Sequence, residues 1–105
     1  MLFDENLKNE DINIDFAAID IQERSEIAKL FDRLERLSPS RGRISFQLVK
    51  ENDVFVCALE INAQGFQFAK STVHDGALSA TQEVLGKAFE ALTVWKQNRF
   101  EQNEV

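Results

Sequence analysis

Three short runs of alternating apolar residues, joined by tight turns and followed at once by a long amphipathic segment, occupy Arg43 to Lys96. No other feature constrains the fold as much. The runs are RISFQLVK, VFVCALEI and FQFAKSTV, separated by Glu51-Asn52-Asp53 and by Asn62-Ala63-Gln64-Gly65. Period-two alternation marks a strand with one wet and one dry face, and Asn, Asp and Gly between such runs mark hairpin turns. Ile44, Phe46 and Leu48 share one face of the first run; Phe55, Cys57, Leu59 and Ile61 share one face of the second. The other face of the second run carries Val54, Val56 and Ala58, more apolar than a solvent face usually is. In the third run either Phe66 with Phe68, or Ala69, Ser71 and Val73, can be the buried set. Asp75 or Ser79 then starts a helix whose apolar stripe is Leu85, Ala88, Phe89, Leu92 and Trp95.

Upstream, Ile12, Ile14 and Phe16 alternate with Asn13 and Asp15, which predicts a further short strand. Asp20 with Glu23 three residues on predicts a helix start of capping-box type. Ile27, Leu30, Phe31, Leu34 and Leu37 form the stripe of that helix, which ends at Ser38-Pro39-Ser40-Arg41-Gly42. The predicted order is therefore β-α-β-β-β-α, an α+β domain over residues 12–100. Its four-stranded sheet carries two helices packed on one face, with Leu34 and Phe89 buried where helices meet sheet. Residues 1–11 read as a loose acidic tail and 101–105 as a short C-terminal tail.

A chain of 105 residues holds one domain with a real core. Its net charge of −6 is unevenly placed: residues 1–20 sum to −5, residues 101–105 to −2, and residues 21–100 to +1. Bulk acidity disfavours nucleic acid, because phosphate affinity comes from Lys and Arg releasing counterions, yet a near-neutral centre leaves room for a local basic patch. The single cysteine, Cys57, has no intramolecular disulfide partner, as suits a reducing compartment. The start of the chain lacks the basic and apolar regions of a signal peptide, and no run reaches the roughly 18 apolar residues of a membrane span. The expected setting is soluble and cytoplasmic.

Chemistry-bearing residues are few. Lys29, Arg33 and Arg36 fall within about 60° of one another on the first helix at about 100° per residue, and Arg41 and Arg43 follow in the next loop. Five bases at one end suit a phosphate backbone; the alternative is a solvated face with local pairs such as Glu26 with Lys29 and Asp32 with Arg36. On the last helix Lys87 stands opposite the apolar stripe between Glu83 and Glu90. Lys96 and Arg99 lie near the apolar side, where their stems cover hydrophobic surface. His74, the one histidine, precedes a helix with no nucleophile or metal-ligand spacing near it and reads as a turn or cap residue. Cys57 reads as a small core hydrophobe, Glu51 and Asp53 as turn residues, and Trp95 as an anchor rather than a stacking platform. No Gly-rich phosphate loop occurs among four glycines. The pattern predicts no enzyme, no cofactor and no metal.

The element order, with Ile12-Asn13-Ile14 in the first strand and Ile19-Asp20-Ile21-Gln22-Glu23 leading into the first helix, resembles the ribosome hibernation-promoting factors, also described as ribosome-associated inhibitors or sigma-factor modulation proteins. Asp75 and the segment ATQEVLGKAFEAL, residues 80–92, are similar to the start of that family's last helix. The resemblance covers about residues 12–98, and the order of elements carries it more than any motif. By that resemblance the chain looks like a divergent, acidic, short form: Gln22 stands where the family places a threonine, the chain has no tyrosine, and its last helix lacks the family's lysine-rich tail. The resemblance implies a translation-regulating, stress-linked RNA binder that lodges against the small ribosomal subunit. The bases that would meet RNA are Lys29, Arg33, Arg36, Arg41, Arg43 and Lys87, with the first helix and its loop carrying more of the contact than Lys87. The other expectation is a protein-interaction or dimerisation module of the same fold that has lost ribosome binding. It would work through an open sheet face of Val54, Val56 and Ala58, joined by Phe66 and Phe68 if these face outward.

Overall fold

The computed structural model describes residues 11–104, with side chains described for residues 11–98. Strand β1 (Ile12–Ile14) leads through a 3-10 turn (Phe16–Ala18) into helix α1 (Ile21–Leu37); β2 (Arg43–Glu51), β3 (Val54–Ala63) and β4 (Phe66–His74) follow, and helix α2 (Ala77–Glu104) closes the domain. The strands lie in the order β1-β2-β3-β4, β1 parallel to β2 and the others antiparallel. This is the α+β order that the period change from two to 3.6 predicts. The tail assigned to residues 1–11 lies outside the described residues except for Asp11, which is bonded to the sheet through Arg43. At the other end α2 continues through residues 101–104.

Both helices cover the same sheet face. Register places Ile44, Phe46 and Leu48 opposite Ile61, Leu59 and Cys57, and all six are buried. The Phe31 ring of α1 lies 5.3 Å from that of Phe46, and the Trp95 ring of α2 lies 5.4 Å from that of Phe66. Ile27 and Leu34 of α1 and Ala80, Val84, Leu85, Ala88 and Leu92 of α2 fill the space between. Small alanines let α2 approach the sheet closely. Cys57 sits here with no exposed surface, and burial pushes its thiol up to about 12, which suits an inert core residue.

The two-way choice in the third run is resolved by α2. Phe66 and Phe68 face the helices, while Gln67, Ala69, Ser71 and Val73 face outward. The two phenylalanines therefore do not belong to the open sheet face. Three other expectations are corrected. Phe16 leaves the strand for the 3-10 turn and is 48% exposed, because β1 pairs with β2 only through Ile14. Helix α2 starts at Ala77, after Gly76, rather than at Asp75 or Ser79. Phe89 is half-buried rather than buried, since it lies on the flank of α2 that faces α1 instead of the sheet.

The expected capping box also works differently. Asp20 occupies the N-cap position of α1 but makes no side-chain cap bond, and Glu23 reaches across to the other helix. Its Oε1 accepts the Leu78 backbone N–H at 3.3 Å, satisfying an orphan donor in the first turn of α2 and placing negative charge at that helix's positive end. Glu23→Ala is expected to cost about 1 kcal/mol. A urea midpoint unchanged by that substitution would show that the contact contributes nothing.

Candidate nucleic-acid interface

Lys29, Arg33 and Arg36 project from α1 at spacings of four and three, so they form one line along the helix. Each already has a neighbour. Lys29 Nζ stands 3.9 Å from Glu26 Oε2, and Arg36 Nη1 donates to Asp32 Oδ2 at 2.8 Å. These are exposed single-turn pairs, worth roughly 0.3–0.5 kcal/mol each, which a phosphate can displace. Arg33 is held otherwise: its guanidinium lies 4.5 Å from the centroid of the Phe89 ring, at the groove between the two helices. The three bases thus span the outer surface of α1 from its middle to its C-terminal end.

Arg41 lies in the loop beyond the helix. Ser38 ends α1, with its Oγ donating to the Leu34 carbonyl at 2.7 Å; Pro39 prevents continuation, and a turn closed by Gly42 N–H to the Pro39 carbonyl at 3.0 Å sets the loop. Gly42 fits closely there: an added Cβ would lie 3.1 Å from the Ala63 side chain and 3.2 Å from the Pro39 oxygen, so a larger residue would have to push these neighbours back by a few tenths of an ångström. Arg41 lines a cleft of about 600 Å³ together with Gly65, Trp95 and Asn98. Trp95, backed by Phe66, is half-buried and part of this wall. Gly65 at φ +87° turns β3 into β4 beside it.

The other two bases do not join this group. Arg43 sits on the outer side of β2, because Ile44, Phe46 and Leu48 take the inner side. Its Nε and Nη2 donate to the Asp11 carboxylate at 2.7 and 3.2 Å, and that bond holds the Asp11 carboxyl below the usual carboxylate range. Lys87 is two residues from Phe89, about 200° away around α2, and its Nζ stands 3.8 Å from Glu90 Oε1. Of the six predicted bases, Lys29, Arg33 and Arg36 share one face of the C-terminal half of α1 and Arg41 lies in the loop that follows, while Arg43 and Lys87 lie elsewhere. Lys96 is half-buried, as expected of a stem covering apolar surface, and the Arg99 side chain lies outside the described residues.

A second polar arrangement was not legible in the sequence. Glu83 of α2 accepts from Thr72 Oγ1 at 3.1 Å, meets His74 Nε2 at 2.6 Å and lies 3.8 Å from Lys70 Nζ. His74 is thus the last residue of β4 tied to a helix rather than a turn or cap residue. Its hydrogen bond, then that of Thr72, lowers the Glu83 carboxyl below its ordinary value of 4.5. A depressed carboxylate stabilises the fold above that ordinary value, and the contribution is lost as pH falls below 4.5. Glu83→Gln is accordingly expected to lower the melting temperature at neutral pH and to leave it nearly unchanged at pH well below 4.5, flattening the acid limb of the stability curve. A uniform loss at all pH values would contradict the pairing.

Among the described residues no group of three or more His, Cys, Asp or Glu side chains is placed to hold a metal ion, and no helix is long and apolar enough to cross a membrane. No protein-family model matches the chain, and a comparison with curated proteins returns no match.

Proposed function

We propose that this domain is a cytoplasmic, ribosome-associated regulator of translation without enzymatic activity, similar in role to the hibernation-promoting factors, and that it meets the RNA of the small subunit with the C-terminal half of α1 and the loop behind it. One observation carries the reading: Lys29, Arg33 and Arg36 form one line of exposed bases on α1, and Arg41, in the loop that follows, lines a cleft walled by Trp95. Cations that follow a backbone toward an aromatic side chain are what unpaired RNA requires, phosphates on the bases and a nucleobase beside the ring. The order β-α-β-β-β-α, with both helices on one face, also supports the family resemblance. Displacement of the weak Glu26 and Asp32 pairs costs little, so their presence does not oppose binding.

The test is co-sedimentation with small ribosomal subunits over a range of salt. With about four phosphate contacts, the logarithm of the affinity should fall against the logarithm of salt with a slope near −3. The chain's single tryptophan gives an independent readout, since RNA entering the cleft should quench its fluorescence. Absence of co-sedimentation at low ionic strength, where such contacts are strongest, would end the ribosome reading.

A further inference from the structure

The outer face of the sheet is uncovered by either helix, and its side chains are sorted in a way that helix packing does not explain. Val49 pairs with Val56 and Val56 with Val73, so three valines form one row across β2, β3 and β4, with Val73 58% exposed. Beside the row runs a trough of about 650 Å³ in which Asn13, Ser45, Ala58, Ala69 and Ser71 lie between the charged residues Asp11, Glu60 and Lys70. Charge on this face is predominantly acidic. Asp11, Glu51 and Glu60 lie on it against Arg43, which is held by Asp11. The strand lysines turn the other way: Lys50 Nζ is 6.0 Å from the ring of buried Phe55, and Lys70 reaches Glu83 of α2.

We propose that this face docks an extended, lysine- or arginine-rich polypeptide segment of another protein, its aliphatic side chains on the valine row and its cations toward Glu51 and Glu60. The proposal is independent of RNA binding through α1. Charge complementarity selects the occupant. A second copy laid face to face would oppose carboxylate to carboxylate, and residues 1–10 carry Asp4, Glu5 and Glu10 against Lys8, the same sign as the face. Phosphate is repelled for the same reason. A cationic chain gains from the rim and buries the valines as well.

The probe is a ten-residue peptide alternating lysine and valine, matched to the ten residues of β3, titrated by calorimetry at low ionic strength beside its glutamate-valine counterpart and a short RNA. Saturable one-to-one binding of the lysine peptide is expected. Glu60→Lys should weaken it by about tenfold, and Val56→Ser, which changes no charge, by about threefold. Glu35→Lys makes the same charge change on exposed α1 surface and should leave the affinity within about twofold. Circular dichroism melts confirm that each variant folds. The proposal is overturned if the lysine peptide does not bind, if Glu35→Lys weakens it as much as Glu60→Lys does, if the glutamate peptide binds equally, or if RNA binds and the charge-neutral Val56→Ser weakens it, which would place RNA on this face.

Discussion

Phe46→Ala is expected to lower the stability of this domain by about 3–5 kcal/mol, the range for a large side chain removed from a closed core. Phe46 is 1% exposed, lies in the middle of β2 between Ile12 of β1 and Leu59 of β3, and holds the Phe31 ring of α1 at 5.3 Å. It is thus where three strands and a helix meet, and no single element can relax to refill the cavity. A domain of this size has about 5–15 kcal/mol in total, so the variant should melt more than about 12 °C lower, or be partly unfolded at room temperature. Phe89→Ala should lose about half as much, because Phe89 is half-buried and removal takes away the Arg33 contact rather than the centre of the core. Equal losses for the two would mean that α2 is seated on the sheet through Phe89 after all. Urea midpoints measured on both variants decide it.

The contrast between Phe46 and Phe89 shows where sequence patterning is informative. Strict alternation in β2 and β3 assigns a face to every residue, because a strand has only two faces and one is covered; Ile44 through Ile61 could be placed without coordinates. A helix offers a continuous range of directions, so the stripe of α2 identified its neighbourhood but not which member pointed at α1. Strand β4 is ambiguous for a third reason: three of the five residues on its inner face, Lys70, Thr72 and His74, are polar and meet Glu83 instead of the core. Period-two reading cannot see a partner on another element. The same limit hid the cap that Glu23 gives to α2, fifty-five residues along the chain. For the bases, spacing on α1 was enough to align Lys29, Arg33 and Arg36. Proximity in sequence misplaced Arg43, which a two-residue step beyond Arg41 carries onto the far side of the sheet.

That distinction sets the last expectation. Lys29→Glu with Arg36→Glu reverses two of the three bases on the α1 line and leaves the Arg33 contact with Phe89 intact, so it should abolish co-sedimentation with small subunits at low salt without loss of fold. Arg33→Glu with Arg36→Glu should do the same, at the cost of a slightly lower melting temperature from the lost cation–π contact. Lys87→Glu should reduce binding only slightly, since Lys87 is on the opposite flank of α2 with Glu90 beside it. Arg43→Gln should have no greater effect on RNA than Lys87→Glu, because its guanidinium is on the other sheet face and engaged by Asp11. A charge-matched comparison is diagnostic where the ordering is not: Lys87→Glu combined with Arg43→Glu changes the charge by as much as either α1 double variant, so bulk electrostatics expects an equal loss and a defined α1 surface only a slight one. If that charge-matched variant loses as much binding as the α1 double variants, binding is non-specific attraction and the α1 interface is refuted.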